Sequence, residues 1–241
     1  APSASDIAYF GADSSNANCN LDQNRTLSGI ISSDYSGTFS TTGNNYSLTL
    51  TGLNWNSGTL NANSSALNNS ASTDLSGGTA TLSSTALTLT GAAANLLSGA
   101  NTLGSLTLNK NDAAAQVMLD QTTVSGTLSL TDGAVSGLLN QQGNISLGAN
   151  FDGGSGVISA TAGNSQTLTS AGGVFPALVI NKSGNSLTLN NNLNVSGDLR
   201  VVAGTFNPNS KTVTLTGTSS IFQPGGESYG ALNVNKTGDS D

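Results

Sequence analysis

The chain has 241 residues with 6 basic groups, 13 acidic groups and no histidine, a net charge of −7. Only 8% of residues are charged and 5% aromatic, while Ser, Thr and Asn together number 95 and glycine 30. This balance gives no electrostatic basis for binding nucleic acid or an anionic membrane. One cysteine and no histidine exclude an internal disulfide framework and an ordinary zinc site. No apolar stretch approaches the roughly 20 residues of a membrane-spanning helix. With four Lys, two Arg and a single Glu (Glu227), the polar helix formers are nearly missing. No long helix is expected, and a thick aromatic core is out of reach. Leu, Ile and Val instead alternate with small polar residues in short runs, the period of strands rather than helices.

Taken in order, the segment from Ala1 to Arg25 is atypical: it holds Tyr9, Phe10, Asp13, Cys19 and Arg25, and the alternating pattern starts only near Leu27. Residues 1–25 therefore read as a cap or docking arm. Ala1-Pro2-Ser3-Ala4 resembles a mature N-terminus left by signal-peptide removal. Cys19 is expected to be a small buried hydrophobe. The run Leu48-Thr49-Leu50-Thr51-Gly52 returns at Leu87–Gly91 and as Val213–Gly217. A longer word, Ser105-Leu106-Thr107-Leu108-Asn109-Lys110, returns as Ala177-Leu178-Val179-Ile180-Asn181-Lys182 and as Ala231-Leu232-Asn233-Val234-Asn235-Lys236. The step from Lys110 to Lys182 is four times 18, and the step from Lys182 to Lys236 is three times 18. Between them Leu187, Leu189, Leu193, Val195, Leu199 and Val201 alternate with polar residues, and Gly184, Asn191, Asn192, Gly197 and Gly204 mark corners.

A fixed internal period decides architecture. The fold class is all-β: a single-stranded right-handed parallel β-helix (β-solenoid) over residues 26–241, with about 18 residues per coil and an incomplete last coil. A hairpin sandwich predicts two-residue Asn-Gly or Asp-Gly turns, which are scarce here. About a dozen coils at roughly 4.8 Å each give a rod of about 55–60 Å. Leu108, Ile180 and Val234 would then share one inward column, and Asn, Ser and Thr would stack in side-chain ladders.

The words Ala177–Lys182, Leu193-Asn194-Val195-Ser196-Gly197-Asp198-Leu199, Gly204-Thr205-Phe206 and Thr212–Gly217 resemble the repeats of secreted bacterial β-helical surface proteins of the filamentous-haemagglutinin-like type. The segment from Asn18-Cys19-Asn20-Leu21-Asp22 to Tyr35-Ser36-Gly37-Thr38-Phe39 is similar to the start of such repeat regions. The resemblance implies an extracellular, structural or adhesive protein with no catalytic residues to carry over.

The functional expectation is an extracellular structural protein, secreted, forming a cell-surface filament by head-to-tail contact between β-helix ends. The candidate assembly residues are Tyr9, Phe10 and Cys19 at one end and Leu232, Val234 and Lys236 at the other. After Lys236 the sequence offers only Thr-Gly-Asp-Ser-Asp. Partners are further copies of itself, another surface protein or glycans, with no nucleic acid and no membrane insertion. Alternatives are a surface adhesin or a fragment of one, an ice-binding solenoid and a polysaccharide-active enzyme. Ice binding would use Thr49/Thr51, Thr88/Thr90 and Thr212/Thr214/Thr216. Catalysis is not expected, since Asp198 and Arg200 read as an exposed ion pair and Asp112, Asp120 and Asp132 are scattered in turns. No cofactor and no metal are expected, because Asp152-Gly153-Gly154 and Asp239–Asp241 lack the repeated calcium-binding nonapeptide. An exposed Trp55 with Tyr46 would suit sugar contact, against the commoner packing role.

Overall fold

The computed structural model describes residues 2–14, 17–41, 43–92, 94–110 and 116–236. Asp112 and Asp239–Asp241 lie outside the described residues. The chain is a parallel β-solenoid of about 11 turns, with about 20 residues per turn. Every strand pairing among the described residues is parallel, and the one helical element among them is a single 3-10 turn at Ala12–Ser14.

Each coil contributes a strand segment to three successive ladders. The first runs Leu48–Leu67–Leu87–Leu106–Leu128–Ile145–Leu168–Leu189, each residue directly opposite the next. The second begins at Ile7–Phe10 and ends with Leu193–Val195, Thr212–Leu215 and Ala231–Val234. The third carries Leu82–Leu103–Val124–Gln141–Ala160–Ile180–Val201. Along every strand alternate side chains point inward, so the core is one continuous stack of aliphatic layers. Leu106, Leu128, Leu168 and Leu189 are fully buried. Burying each such side chain contributes about 1.5–3 kcal/mol, and only the neighbouring coils supply that burial.

The coil is longer than the sequence period suggested, and its length varies. Leu130 meets Leu147 on the next coil, whereas Ile145 meets Leu168, a distinctly longer step along the chain. The three copies of the repeated word also fall on three different ladders. Leu108 lies between Leu89 and Leu130 on the first, Ile180 between Ala160 and Val201 on the third, and Val234 above Leu215 on the second. They do not form one column. The reason is that the word encodes one strand and its corner, a third of a turn. At about 20 residues per turn, the step from Lys110 to Lys182 is close to three and two-thirds turns. The step from Lys182 to Lys236 is close to two and two-thirds.

Corners use two devices. Gly204 has φ 80 and Asn209 φ 51, the left-handed region that suits these residue types. Gly197 instead allows close approach, since a Cβ there would sit 2.7 Å from the Ala177 amide nitrogen. Side-chain rungs between coils occur as expected between Thr41 Oγ1 and Ser65 Oγ (2.6 Å) and from Asn190 Nδ2 to Thr169 Oγ1 (2.9 Å), but other asparagines act differently. They reach across to the backbone of the adjacent coil: Thr38 N donates to Asn18 Oδ1 (3.0 Å), Ser47 N to Asn24 Oδ1 (2.9 Å), Thr167 N to Asn144 Oδ1 (2.9 Å) and Thr212 N to Asn192 Oδ1 (3.0 Å). At a corner the strand ladder is interrupted, and a short amide supplies the missing acceptor.

Leu106→Ala should lower the unfolding free energy by about 2–5 kcal/mol, because it empties a sealed layer. Thr107→Ala, facing outward one position away, should change it by no more than about 0.5 kcal/mol. Urea unfolding of both variants checks the pair.

Candidate functional site

The six candidate assembly residues occupy opposite ends of the rod. At the N-terminal end Ile7–Phe10 pairs with residues 29–32, and Cys19–Asn20 with residues 39–40, as the first turn of the same stack. Tyr9 is 64% exposed, while Phe10 turns inward and meets Tyr35, Phe39 and Trp55 at ring-centroid distances of 5.2, 5.2 and 5.6 Å. Trp55 is fully buried in this cluster, its Nε1 donating to Gly58 O (3.3 Å), so it is a packing residue and not a surface platform. Tyr46 is half-buried, and its hydroxyl accepts from Asn44 Nδ2.

Cys19 is exposed, contrary to the expectation of a buried hydrophobe. The reason is its place on the first coil, with neighbours on one side only. Partial burial and then the nearby Asp22 carboxylate push its thiol pKa up, which keeps it protonated and weakly nucleophilic. Phe10 and Cys19 line a cavity of about 240 Å³ with Leu21, Leu27, Phe39 and Leu48. Arg25 and Asp22 close its rim through a 2.7 Å ion pair, which holds the exposed Asp22 carboxyl below its usual range.

At the other end Ala231–Val234 pairs with Thr212–Leu215 along one edge. Leu232 and Val234 continue the inward positions of Val213 and Leu215, yet are 37% and 63% exposed, whereas Val213 and Leu215 are sealed. Lys236 is half-buried beyond them. An unforeseen aromatic group sits beside this strand, with Tyr229 between Phe206 (6.0 Å) and Phe222 (5.4 Å). Its hydroxyl is buried without a partner, and burial followed by Glu227 pushes its pKa up to about 12. A signal was present in the sequence. Most of the aromatics fall at the two ends, six of them from Tyr9 to Trp55 and three from Phe206 to Tyr229.

No family model, curated protein or solved structure matches the chain. Its lateral surfaces correct two further expectations. Asp198 and Arg200 do not pair: Asp198 Oδ1 accepts from Ile221 N (2.7 Å) and Arg200 Nε donates to Gln223 Oε1 (3.3 Å). Asp120 stands in the strand Gln116–Val124 and ties to the adjacent coil, accepting from Ser98 and Gly99 there and from Thr122 on its own strand. Thr49 and Thr88 belong to an outward column on the first ladder, Thr26–Thr49–Asn68–Thr88–Thr107–Ser129–Ser146–Thr169, whereas Thr212 and Thr214 lie on the second.

Two lysines of the repeated word are buried inside corners. Lys110 Nζ donates to Thr90 O (2.7 Å), and Lys182 Nζ to Asn164 O (2.9 Å) and Gln166 Oε1. Desolvation lowers both pKa values from 10.5. The unfolded chain then holds the proton at pH values where the folded chain has released it. Stability contributed by these groups therefore rises as pH climbs from the lowered value toward 10.5. Lys110→Met should be at least as stable as the native chain at neutral pH. That advantage should shrink toward pH 9.5 in urea unfolding series, since other titrating groups cancel in the difference.

Proposed function

We propose that the chain is a non-catalytic rod of an extracellular structural protein, a subunit of a surface filament in which copies meet head to tail. The observation that carries this reading is the placement of the two edge strands. Ile7–Phe10 and Ala231–Val234 lie on the same ladder, so a second copy stacked on the C-terminal edge continues that ladder without changing face. Its inward residues Ala8 and Phe10 would cover Leu232 and Val234, inward positions that are 37% and 63% exposed. Head-to-tail contact between such ends need not close and so generates fibres. The hydroxyl- and amide-rich, charge-poor composition supports the extracellular reading. An adhesin presenting one rod is the other outcome.

In electron microscopy the purified chain should form long fibres with an axial repeat near one rod length, about 50–55 Å. Val234→Lys, which sets a charge on the open edge, should leave short rods. Monodisperse short rods of the native chain at high concentration would refute filament assembly and leave the adhesin.

The outward Thr, Ser and Asn column of the first ladder supports a second reading, a water-ordering face. Its eight members recur at the coil spacing and none is buried. On that reading the chain shows thermal hysteresis against ice, and Thr88→Tyr with Thr107→Tyr abolishes it.

A further inference from the structure

The charged groups of this chain are few enough to follow one by one. Of the six basic residues, Lys110 and Lys182 are buried in corners, and Arg25 is tied to Asp22 at the N-terminal end. The other three, Arg200, Lys211 and Lys236, all lie within or beyond the strand Leu199–Asn207. The first coil holds Asp6, Asp13 and Asp22. Acidic groups also stand near the far cations: Asp198, Glu227 and, outside the described residues, Asp239 and Asp241. Position therefore decides, and net charge does not.

Lys236 differs from the two earlier lysines of the repeated word. Lys110 and Lys182 reach back to carbonyls of the preceding coil, Thr90 O and Asn164 O. Lys236, in the corner after Ala231–Val234, is half-buried and has no acceptor among the described residues. Asp13 is exposed in the 3-10 turn Ala12–Ser14, the corner after Ile7–Phe10, and has no partner among them either. The two unpaired charges thus follow the two edge strands of one ladder, at opposite ends of the rod.

Stacking a second copy on the C-terminal edge makes these corners neighbours. Only one register covers Leu232 with Ala8 and Val234 with Phe10. Two residues further on, Ala12 falls over Lys236 with Asp13 next to it, about one coil spacing of 4.8 Å away. The first ladder offers a second pair. Tyr229 packs on Phe206, the last strand residue of that ladder's inward stack, and Leu27 opens the ladder in the second copy. Glu227 precedes Tyr229 by two residues, as Arg25 precedes Leu27. Arg25 spends one nitrogen on Asp22, and its guanidinium has further N–H donors to offer.

We propose that the joint between copies is latched by two ion pairs across it, Lys236 with Asp13 and Glu227 with Arg25 of the next copy. The latch rests on the head-to-tail reading above and supplies what that reading lacks, a reason for selectivity. A bare strand edge accepts any other edge, whereas opposite charges at two corners select this chain in one register.

Sedimentation and electron microscopy should compare the native full chain with Lys236→Glu and Asp13→Lys, each alone and the two mixed in equal amounts. Native chains should form fibres. Each variant alone sets like charges across the joint, so its critical concentration for assembly should rise at least about tenfold. The mixture should recover fibres, because every joint of an alternating fibre then brings opposite charges together. Thermal melting of each variant should match that of the native chain, since both positions are at the surface. Native chains that stay single rods would sink the filament reading, and the latch with it. Native fibres with both variants assembling equally well alone, or a mixture no better than either variant, would overturn the latch and leave the filament standing.

Discussion

The structure depends on the stacking of one coil on the next. Each coil exposes unpaired backbone groups on both edges and an apolar layer on its inner side, and no coil satisfies either alone. The parallel ladder pairs the backbone groups, and the inward columns such as Leu106–Leu128–Ile145–Leu168–Leu189 bury the layers at the same time. This explains how a chain with 5% aromatics and 8% charge holds a core at all. The core is thin, but it is continuous over the length of the rod.

The same constraint makes the ends and corners the places where something else is required. Near the N-terminal edge Phe10, Tyr35, Phe39 and Trp55 pack together as an aromatic plug. Near the C-terminal edge Phe206, Phe222 and Tyr229 do the same, yet Val234 stays exposed. At the corners, where the strand pairing lapses, polar side chains enter the interior. Thr41 and Ser65 share a 2.6 Å hydrogen bond, while Gln166 Nε2 donates to Gly143 O (2.7 Å) and Gln141 Nε2 to Gly126 O (2.6 Å). Lys182 extends this polar line by donating to Gln166. A buried cation held by one backbone carbonyl and one side-chain amide is tolerated because its Nζ is offered two acceptors.

Much of the fold was legible in the sequence. Alternation at Leu187, Leu189, Leu193, Val195, Leu199 and Val201 predicts strands, and all six are buried in register as expected. The coil length was not legible, because the repeated word encodes a third of a turn and its copies recur on different ladders. Register slips add to this: pairing shifts between Leu108 and Asn109 and again between Met118 and Gln121. The fates of Cys19 and Trp55 followed from the ends. Cys19 lies on the first coil and stays exposed, and Trp55 lies two coils in and is covered by Phe10.

Amide hydrogen exchange on the full chain tests the dependence on stacking most directly, because stability carried by nearest-neighbour contacts has a spatial signature. Stacking of this kind predicts protected amides on all three ladders, with protection highest across the middle coils and falling stepwise toward Ile7–Phe10 and Ala231–Val234. A middle that exchanges as fast as the ends, or protection confined to one ladder, would contradict it.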